Sequence, residues 1–225
     1  MMNIYKEIIS YQDIVTLANN AKKSVLLLRH SYRESLVNGN LDPALTLEGV
    51  DYAIECGTFL TGLKDVCFGS SPRKRTIQTI QCVAIGGNLG DETIAIPTYN
   101  QLHDTAMFSP PEALGWAVDN NTLGHLLNEY YSTGNAQDMI PLKEFAANLA
   151  NFLTQTKFEK KNVILASHDI IIISLLTYFK VYPFGQNDWF GYVQGAFLYQ
   201  DTNEQWTIAY AVPNKDNRPI CQLFV

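Results

Sequence analysis

Short apolar runs alternate with amphipathic segments along most of the chain. Residues 24–28 and 162–166 are almost continuously apolar, which is typical of strands covered on both faces in a parallel sheet. Between such runs the apolar positions recur at helical spacing. The alternation predicts an α/β fold in which one three-layer α/β/α domain with a mostly parallel central sheet spans residues 1–225.

The element predictions follow from the same pattern and from capping signals. An N-terminal helix is predicted over 1–22, and Thr46 is predicted as the N-cap of the next helix. An edge hairpin is predicted from 195–200 and 205–211. Residues 101–140, rich in Pro, Gly and Asn, are predicted as a lid-like insertion over the sheet edge with a helical piece at 123–131. The other predicted helices are 46–62, 73–83, 141–156 and 170–179, and the predicted strands are 24–28, 65–68, 94–96 and 162–166.

Composition narrows the function classes. The 225 residues are 47% hydrophobic, enough for a sizeable core, and the formal net charge is -6. The few cations are scattered, so no basic face for nucleic acid or an anionic membrane is expected. No apolar run approaches the roughly 18 to 20 residues of a membrane span, and charges interrupt the first 13 residues, so we expect a cytoplasmic protein. The sequence does not indicate an oligomeric state.

Metal and disulfide chemistry find little support in the sequence. The cysteines form no CxxC pair, and the histidines form no HExxH motif. We therefore expect free thiols, no metal site and no cofactor. The cysteines are Cys56, Cys67, Cys82 and Cys221.

Polar residues follow three strand ends. Arg29 and His30 end the run at 24–28, Arg75 follows the strand at 65–68, and His168 and Asp169 end the run at 162–166. Because the carboxyl ends of parallel strands meet at one edge, these residues are expected to converge. Arginine forks and helix N-termini at such an edge suit a phosphate dianion.

The motifs at these junctions resemble the histidine phosphatase superfamily, which includes phosphoglycerate mutases and histidine acid phosphatases. They occur in the family's order over roughly residues 24 to 180. The resemblance implies a phosphoglycerate mutase-like fold. The motifs are Leu-Leu-Arg29-His30, Leu45-Thr-Leu-Glu48-Gly49, Ser70-Ser-Pro-x-x-Arg75-Thr-x-x-Thr79 and Ala-Ser-His168.

The resemblance also implies roles for single residues. It makes His30 the nucleophile that forms a phosphohistidine, with Arg29, Arg75 and His168 holding the phosphate oxygens. We expect His168 to be protonated, because phosphate and a carboxylate beside it would raise its pKa, and His30 to be neutral with one N–H held by a backbone carbonyl.

One position departs from the family's first motif, and three others resemble one branch of the family or the other. Ser31 stands where glycine is usual and either crowds the phosphate or donates a hydrogen bond to it, while Arg33 resembles an extra phosphate-binding arginine of the acid phosphatases. Asp169 resembles the general acid of that branch, and Asp104 lies where the mutase branch places its acid. Either carboxylate is a candidate, with a slight preference for Asp169. Arg73 and Lys74 are interpreted as solvated residues of an exposed helix turn.

The leading hypothesis is a metal-independent phosphomonoester hydrolase acting on a small phosphorylated molecule. A mutase-like phosphotransferase and a phosphate-ester-binding module without turnover are the alternatives, and Cys67 is a rival nucleophile by its C-x5-R spacing to Arg73. Residues 76–142 contain seven Asp or Glu and no Lys or Arg, which argues against substrates with a second anionic group unless a later cation folds back. Such cations are Lys143, Lys157, Lys180 and Arg218.

Overall fold

The structure, a computed structural model, describes residues 2–5, 7–35, 42–91, 93–182 and 189–214. These residues form seven strands and seven α-helices. The strands are β1 (Asn3–Ile4), β2 (Ile9–Ser10), β3 (Lys23–Arg29), β4 (Val66–Ser70), β5 (Asn162–Ser167), β6 (Gly195–Gln200) and β7 (Trp206–Val212). The helices are α1 (Tyr11–Asn20), α2 (Leu47–Thr58), α3 (Lys74–Gly86), α4 (Ala113–Asp119), α5 (Leu123–Thr133), α6 (Leu142–Gln155) and α7 (Asp169–Tyr178).

The strands form one mixed sheet in the order β1-β7-β6-β3-β5-β4, and β2 also pairs with β7. Four pairings are parallel, and the pairings of β6 with β3 and β7 are antiparallel. Along β3, Val25 and Leu27 join the core shared with α5, α6 and α7, whereas Leu26 and Leu28 join the core shared with α1, α2 and α3. This alternation is the period of two of a strand buried on both faces. The predicted three-layer α/β fold is confirmed.

The predicted helix over 1–22 is wrong at its start, because the helix begins at Tyr11. Ser10 caps α1 in a capping box with Asp13, and the short strands β1 and β2 precede it. Both strands pair in parallel with β7. The predicted edge hairpin is therefore an inner part of the sheet, since β6 lies between β3 and β7 and the N-terminal strands cover β7.

The strand predicted at 94–96 is absent from the described chain. The contact with the sheet lies just after it, where Thr98 makes an isolated parallel bridge with Ser70. The Ser70 N–H donates to the Pro97 carbonyl at 3.0 Å, and the Tyr99 N–H donates to the Ser70 carbonyl at 2.8 Å. Pro97 has no N–H to extend this ladder.

Residues 101–140, called the lid segment below, lie across the carboxyl ends of the strands. The segment contains two 3-10 turns and helices α4 and α5, and α5 corresponds to the helical piece predicted at 123–131. The Ser167 hydroxyl donates to the Leu102 carbonyl at 2.7 Å, and the Tyr131 hydroxyl donates to the Ile170 carbonyl at 2.9 Å. These bonds attach the lid segment to the ends of β5 and α7.

Candidate active site

The carboxyl ends of β3 and β5 bring the two histidine junctions together. The strands run parallel with Arg29 opposite Ser167, and the His30 N–H donates to the Ser167 carbonyl at 3.0 Å. The residues that follow these two strands, His30 and His168, therefore lie next to each other. The ring centroids of His30 and His168 lie 5.5 Å apart.

The His30 ring is held by its own backbone neighbour. Its Nδ1 lies 2.8 Å from the Ser31 carbonyl oxygen. Because a carbonyl only accepts, the proton is on Nδ1 and the lone pair of Nε2 is available. Burial, reinforced by the positive charges of Arg75 and Arg29, lowers the pKa of His30 well below its ordinary value. His30 is therefore a neutral imidazole at physiological pH.

His168 is buried between a hydroxyl and a guanidinium. Its Nε2 lies 3.0 Å from the Ser71 Oγ, and its Nδ1 lies 3.3 Å from the Arg75 Nη2. Since arginine only donates, Nδ1 accepts and Nε2 carries the proton. Burial lowers the pKa of His168 to about 3, although Asp104 acts in the opposite direction. The expected protonated form is therefore not the one that the surrounding protein groups favour, because the cost of burying a charge exceeds the attraction of the carboxylate.

Asp104 lies between two arginines. Arg73 donates to both carboxylate oxygens, with Nε at 3.2 and 3.3 Å and Nη2 at 3.0 Å, and Arg75 Nη2 donates to Oδ2 at 2.9 Å. Burial raises the pKa of Asp104, but His168, His103 and Arg73 together hold it far below the usual range. The interpretation of Arg73 as a solvated residue is wrong, since its side chain is 16% exposed and bound to Asp104. Residue 74 is exposed, as predicted.

Asp169 begins α7 and is held by fewer donors. Its Oδ1 accepts from the Ile170 N–H at 2.9 Å, and its Oδ2 accepts from Trp189 Nε1 at 3.1 Å and from Arg29 Nη2 at 2.9 Å. Burial raises the pKa of Asp169, but the positive charge of Arg29 and these hydrogen bonds lower it overall. The Arg29 guanidinium also lies 4.1 Å from the centroid of the Tyr192 ring.

These side chains surround a cavity of about 630 Å³ between the strand ends and the lid segment. Of the eight site residues predicted from the sequence, seven line it, and Ser31 lies buried behind His30. The Ser31 N–H donates to Thr79 Oγ1 at 3.0 Å, and within the described part of the chain its hydroxyl has no hydrogen-bond partner. The seven are Arg29, His30, Arg33, Arg75, Asp104, His168 and Asp169.

Three side chains that contact the predicted site residues were not themselves predicted. Arg73 follows a recognisable Ser-Ser-Pro turn, and its position two residues before Arg75 is the signal that could have found it. Trp189 and Tyr192 precede β6 in a stretch without a motif, and only the fold brings them to Arg29 and Asp169.

Cys67 is poorly placed to be the rival nucleophile. It lies inside β4, is partly buried, and is not among the described residues that line the cavity. Burial raises the pKa of its thiol, which opposes formation of the thiolate. Cys56, Cys67 and Cys82 are free, as predicted, and Cys221 lies outside the described residues.

Three remaining expectations concern the later cations of the chain, a metal site and a membrane-spanning helix. Lys143, Lys157 and Lys180 do not line the cavity, and Arg218 lies outside the described residues. Within the described ranges, no cluster of three or more His, Cys, Asp or Glu side chains is arranged to hold a metal ion. No helix there is long and apolar enough to cross a membrane.

Comparison with known proteins places this arrangement in a family. The sequence profile of the histidine phosphatase superfamily (branch 1) matches residues 25–199. No curated protein is significantly similar in sequence to the chain.

Solved structures share the fold at low sequence identity. A native mycobacterial glucosyl-3-phosphoglycerate phosphatase aligns with a TM-score of 0.54 at 17% identity, covering 84% of this chain and 98% of that one. A phosphoserine phosphatase from Entamoeba histolytica, solved with phosphoserine, gives 0.55 at 15% identity over 85% and 98%. A phosphoglycerate mutase from Bacillus anthracis gives 0.53 at 17% identity over 87% and 95%.

Proposed function

Because the chain belongs to the histidine phosphatase superfamily, we propose that it is a phosphomonoester hydrolase that works through a phosphohistidine on His30. The observation that carries this proposal is the hydrogen bond from His30 Nδ1 to the Ser31 carbonyl. It orients a neutral imidazole in a cavity lined by four arginines. Ser31 acts in this proposal as the residue that positions the nucleophile.

The reaction follows from the groups around the cavity. His30 Nε2 attacks phosphorus, the bond from phosphorus to the ester oxygen breaks, and the leaving oxygen takes a proton from an acid. Water then attacks phosphorus and gives a proton to the carboxylate that the acid has become, the P–N bond breaks, and inorganic phosphate leaves. Arg29, Arg33 and Arg75 stabilise the charge on the phosphoryl oxygens, and a neutral nucleophile avoids repulsion by the dianion.

His168 completes the phosphate site. Its Nε2–H is directed to Ser71 Oγ, and the centroid of its ring lies 5.5 Å from that of His30. A phosphate dianion beside it opposes the effect of burial and raises its pKa, so substrate binding favours the protonated ring.

Asp169 is the better candidate for the acid. Two arginines hold Asp104, whereas one holds Asp169, and that one, Arg29, is a phosphate ligand in this proposal. When the dianion shares Arg29, the pKa of Asp169 rises toward a value at which the carboxyl group can donate a proton. Asp104 keeps Arg73 and serves to position Arg75.

The two carboxylates can be separated by the leaving group. Loss of a general acid impairs esters of alcohols with a high pKa far more than esters of 4-nitrophenol, whose anion leaves without protonation. We expect Asp169→Asn to show this dependence and Asp104→Asn to lower the rates of both ester types by a similar factor. The reverse pattern assigns the acid to Asp104.

The central experiment is hydrolysis of an aryl phosphate with a metal chelator present. Wild-type activity is expected to survive, and His30→Ala is expected to lose it by about 10⁴-fold or more, as removal of a nucleophile does elsewhere. His125→Ala is the matched control, because His125 is an exposed histidine of the lid segment that does not line the cavity. Because the P–N bond of a phosphohistidine hydrolyses in acid, the phosphorylated enzyme should be isolated at alkaline pH.

The alternatives have distinct outcomes in the same experiment. Transfer of the phosphoryl group to an added sugar acid in preference to water supports the mutase-like phosphotransferase. Tight binding of phosphate without turnover supports the binding module. Equal activity of wild type and His30→Ala contradicts the proposed nucleophile and makes Cys67 the residue to test.

A further inference from the structure

The cavity has a second wall that the proposed chemistry does not use. Beyond the arginines, the lid segment and its surroundings present aliphatic and aromatic side chains next to the phosphate site. An apolar wall of this kind binds the carbon skeleton of a ligand by removing it from water. The apolar members from the lid segment are Leu114, Trp116, Ala117, Val118, Leu123 and Leu127.

The charges around the cavity are distributed unevenly. Four arginines line it, all from residues 29–75, and four carboxylates line it, three of them on the lid segment. In the proposed reaction the arginines hold the phosphate, so a substrate group that lies beside α4 meets Glu112 and Asp119, and residues 76–142 contain no Lys or Arg. A second anionic group on the substrate is therefore repelled, and a positive group is attracted.

Two of the lid carboxylates, Glu112 and Asp119, flank an exposed tryptophan. Glu112, Trp116 and Asp119 occupy positions i, i+4 and i+7 at α4, which place their side chains along one face. The Trp116 side chain is 56% exposed, an unusual position for so large an apolar group. Neither carboxylate takes part in an ion pair or side-chain hydrogen bond among the described residues.

An aromatic face between two carboxylates suits one chemical class. An ammonium group gains from the ring quadrupole and from both negative charges, whereas a carboxylate or phosphate gains from neither. The neighbouring apolar wall accommodates the hydrocarbon part of the same molecule. Tyr130 is fully buried in the lid segment and Tyr131 bonds to the Ile170 carbonyl, so Trp116 is the lid aromatic that faces the cavity.

We propose that α4 and the apolar wall form a leaving-group subsite that selects monoesters of apolar alcohols carrying an ammonium group and rejects those carrying a second anion. This inference rests on the proposed function, because it assigns the leaving group of that reaction. Glu112, Trp116 and Asp119 are its specificity-determining residues.

Three matched esters test it: 4-(aminomethyl)phenyl, 4-methylphenyl and 4-(carboxymethyl)phenyl phosphate. The methylene group insulates the ring, so the leaving oxygens are similar and the side-chain charge is the main difference. We expect kcat/KM to fall in the order given. Glu112 and Asp119 each attract the ammonium group of the first ester and each repel the carboxylate group of the third. If each of these four exposed charge interactions is worth about a factor of two, kcat/KM should be roughly tenfold higher for the first ester than for the third.

Variants separate specificity from structure. In the double variant Glu112→Gln with Asp119→Asn, the ratio of the ammonium ester to the carboxylate ester is expected to fall at least about fivefold. Trp116→Ala is expected to lower kcat/KM for the ammonium ester more than for the methyl ester. Glu129→Gln removes an equally exposed charge outside the cavity and should leave the ratio unchanged.

The outcomes distinguish the two proposals. His30-dependent hydrolysis with the carboxylate ester equal to or better than the ammonium ester overturns the subsite and leaves the proposed function intact. An equal loss on all three esters in the double variant also overturns it, because a structural role alone gives that result. Absence of His30-dependent hydrolysis of every ester rejects the proposed function and the subsite with it.

Discussion

Replacing Asp104 by asparagine should destabilise the protein, because Arg73 loses its carboxylate partner and Arg75 loses the nearer of two, with Asp42 at 3.7 Å from its Nη1 as the other. The side chains of Asp104 and Arg75 are 11% and 7% exposed, and that of Arg73 is 16% exposed. Removing one partner of a buried ion pair costs about 3 to 5 kcal/mol. We expect about 3 kcal/mol here, since Arg73 reaches solvent and the asparagine carbonyl still accepts one hydrogen bond.

Equilibrium unfolding in urea measures this change. The free energy of unfolding should fall by about 3 kcal/mol per molar urea, the upper end of the usual range for small proteins. The urea concentration at the midpoint of unfolding should therefore fall by about 1 M in the variant. Glu129→Gln, at an exposed site, should shift the free energy of unfolding by less than about 0.5 kcal/mol. The double variant Arg73→Met with Asp104→Asn should lose less free energy of unfolding than the sum of the two single variants. The reason is that it no longer buries the Arg73 guanidinium without its carboxylate partner.

The pH dependence supplies a sharper check. Asp104 has a folded-state pKa far below its unfolded value, so its contribution is present above about pH 4 and is lost as the pH falls. The gap between wild type and Asp104→Asn should therefore be complete at pH 7. Below pH 4 it should shrink by up to about 1.4 kcal/mol per pH unit. A cost under about 1 kcal/mol at pH 7, or a gap that does not change with acid, would refute this account.

Three further predictions concern the nucleophile and the packing. Because the pKa of His30 is lowered, the acid limb of kcat/KM, corrected for ionisation of the substrate, should lie well below pH 6.5; a limb at 6.5 would contradict the buried neutral imidazole. Gly49→Ala places a Cβ 2.0 Å from the Tyr32 carbonyl oxygen and should cost about 3 kcal/mol in urea unfolding, whereas Gly115→Ala, with open space around it, should not destabilise. Ser10→Ala removes the cap of α1 and should lower the melting temperature through a loss of about 1 kcal/mol; an unchanged value would show that the cap is dispensable.

Local signals predicted the elements that a capping residue or a continuous apolar run marks in the sequence. The cap at Thr46 is present, with its side chain accepting from the Gly49 N–H, and the apolar runs at β3 and β5 are buried strands. The failures share a different cause. The strand at 94–96 and the long N-terminal helix were decided by partners distant in sequence, since Pro97 contacts β4 and the short strands β1 and β2 pair with β7.

The sequence by itself determined which chemical groups meet at the strand ends, because parallel strands bring the residues that follow them to one edge. His30, His168 and Arg75 could be named on that ground together with the family motifs. Only the tertiary structure decided how these groups interact. Arg73 binds Asp104 although they are 31 residues apart in the sequence. The burial that lowers the pKa of His168 to about 3 likewise depends on side chains that are far apart in the chain. Electrostatic energies depend on distance and burial, which a linear pattern of residue types does not contain.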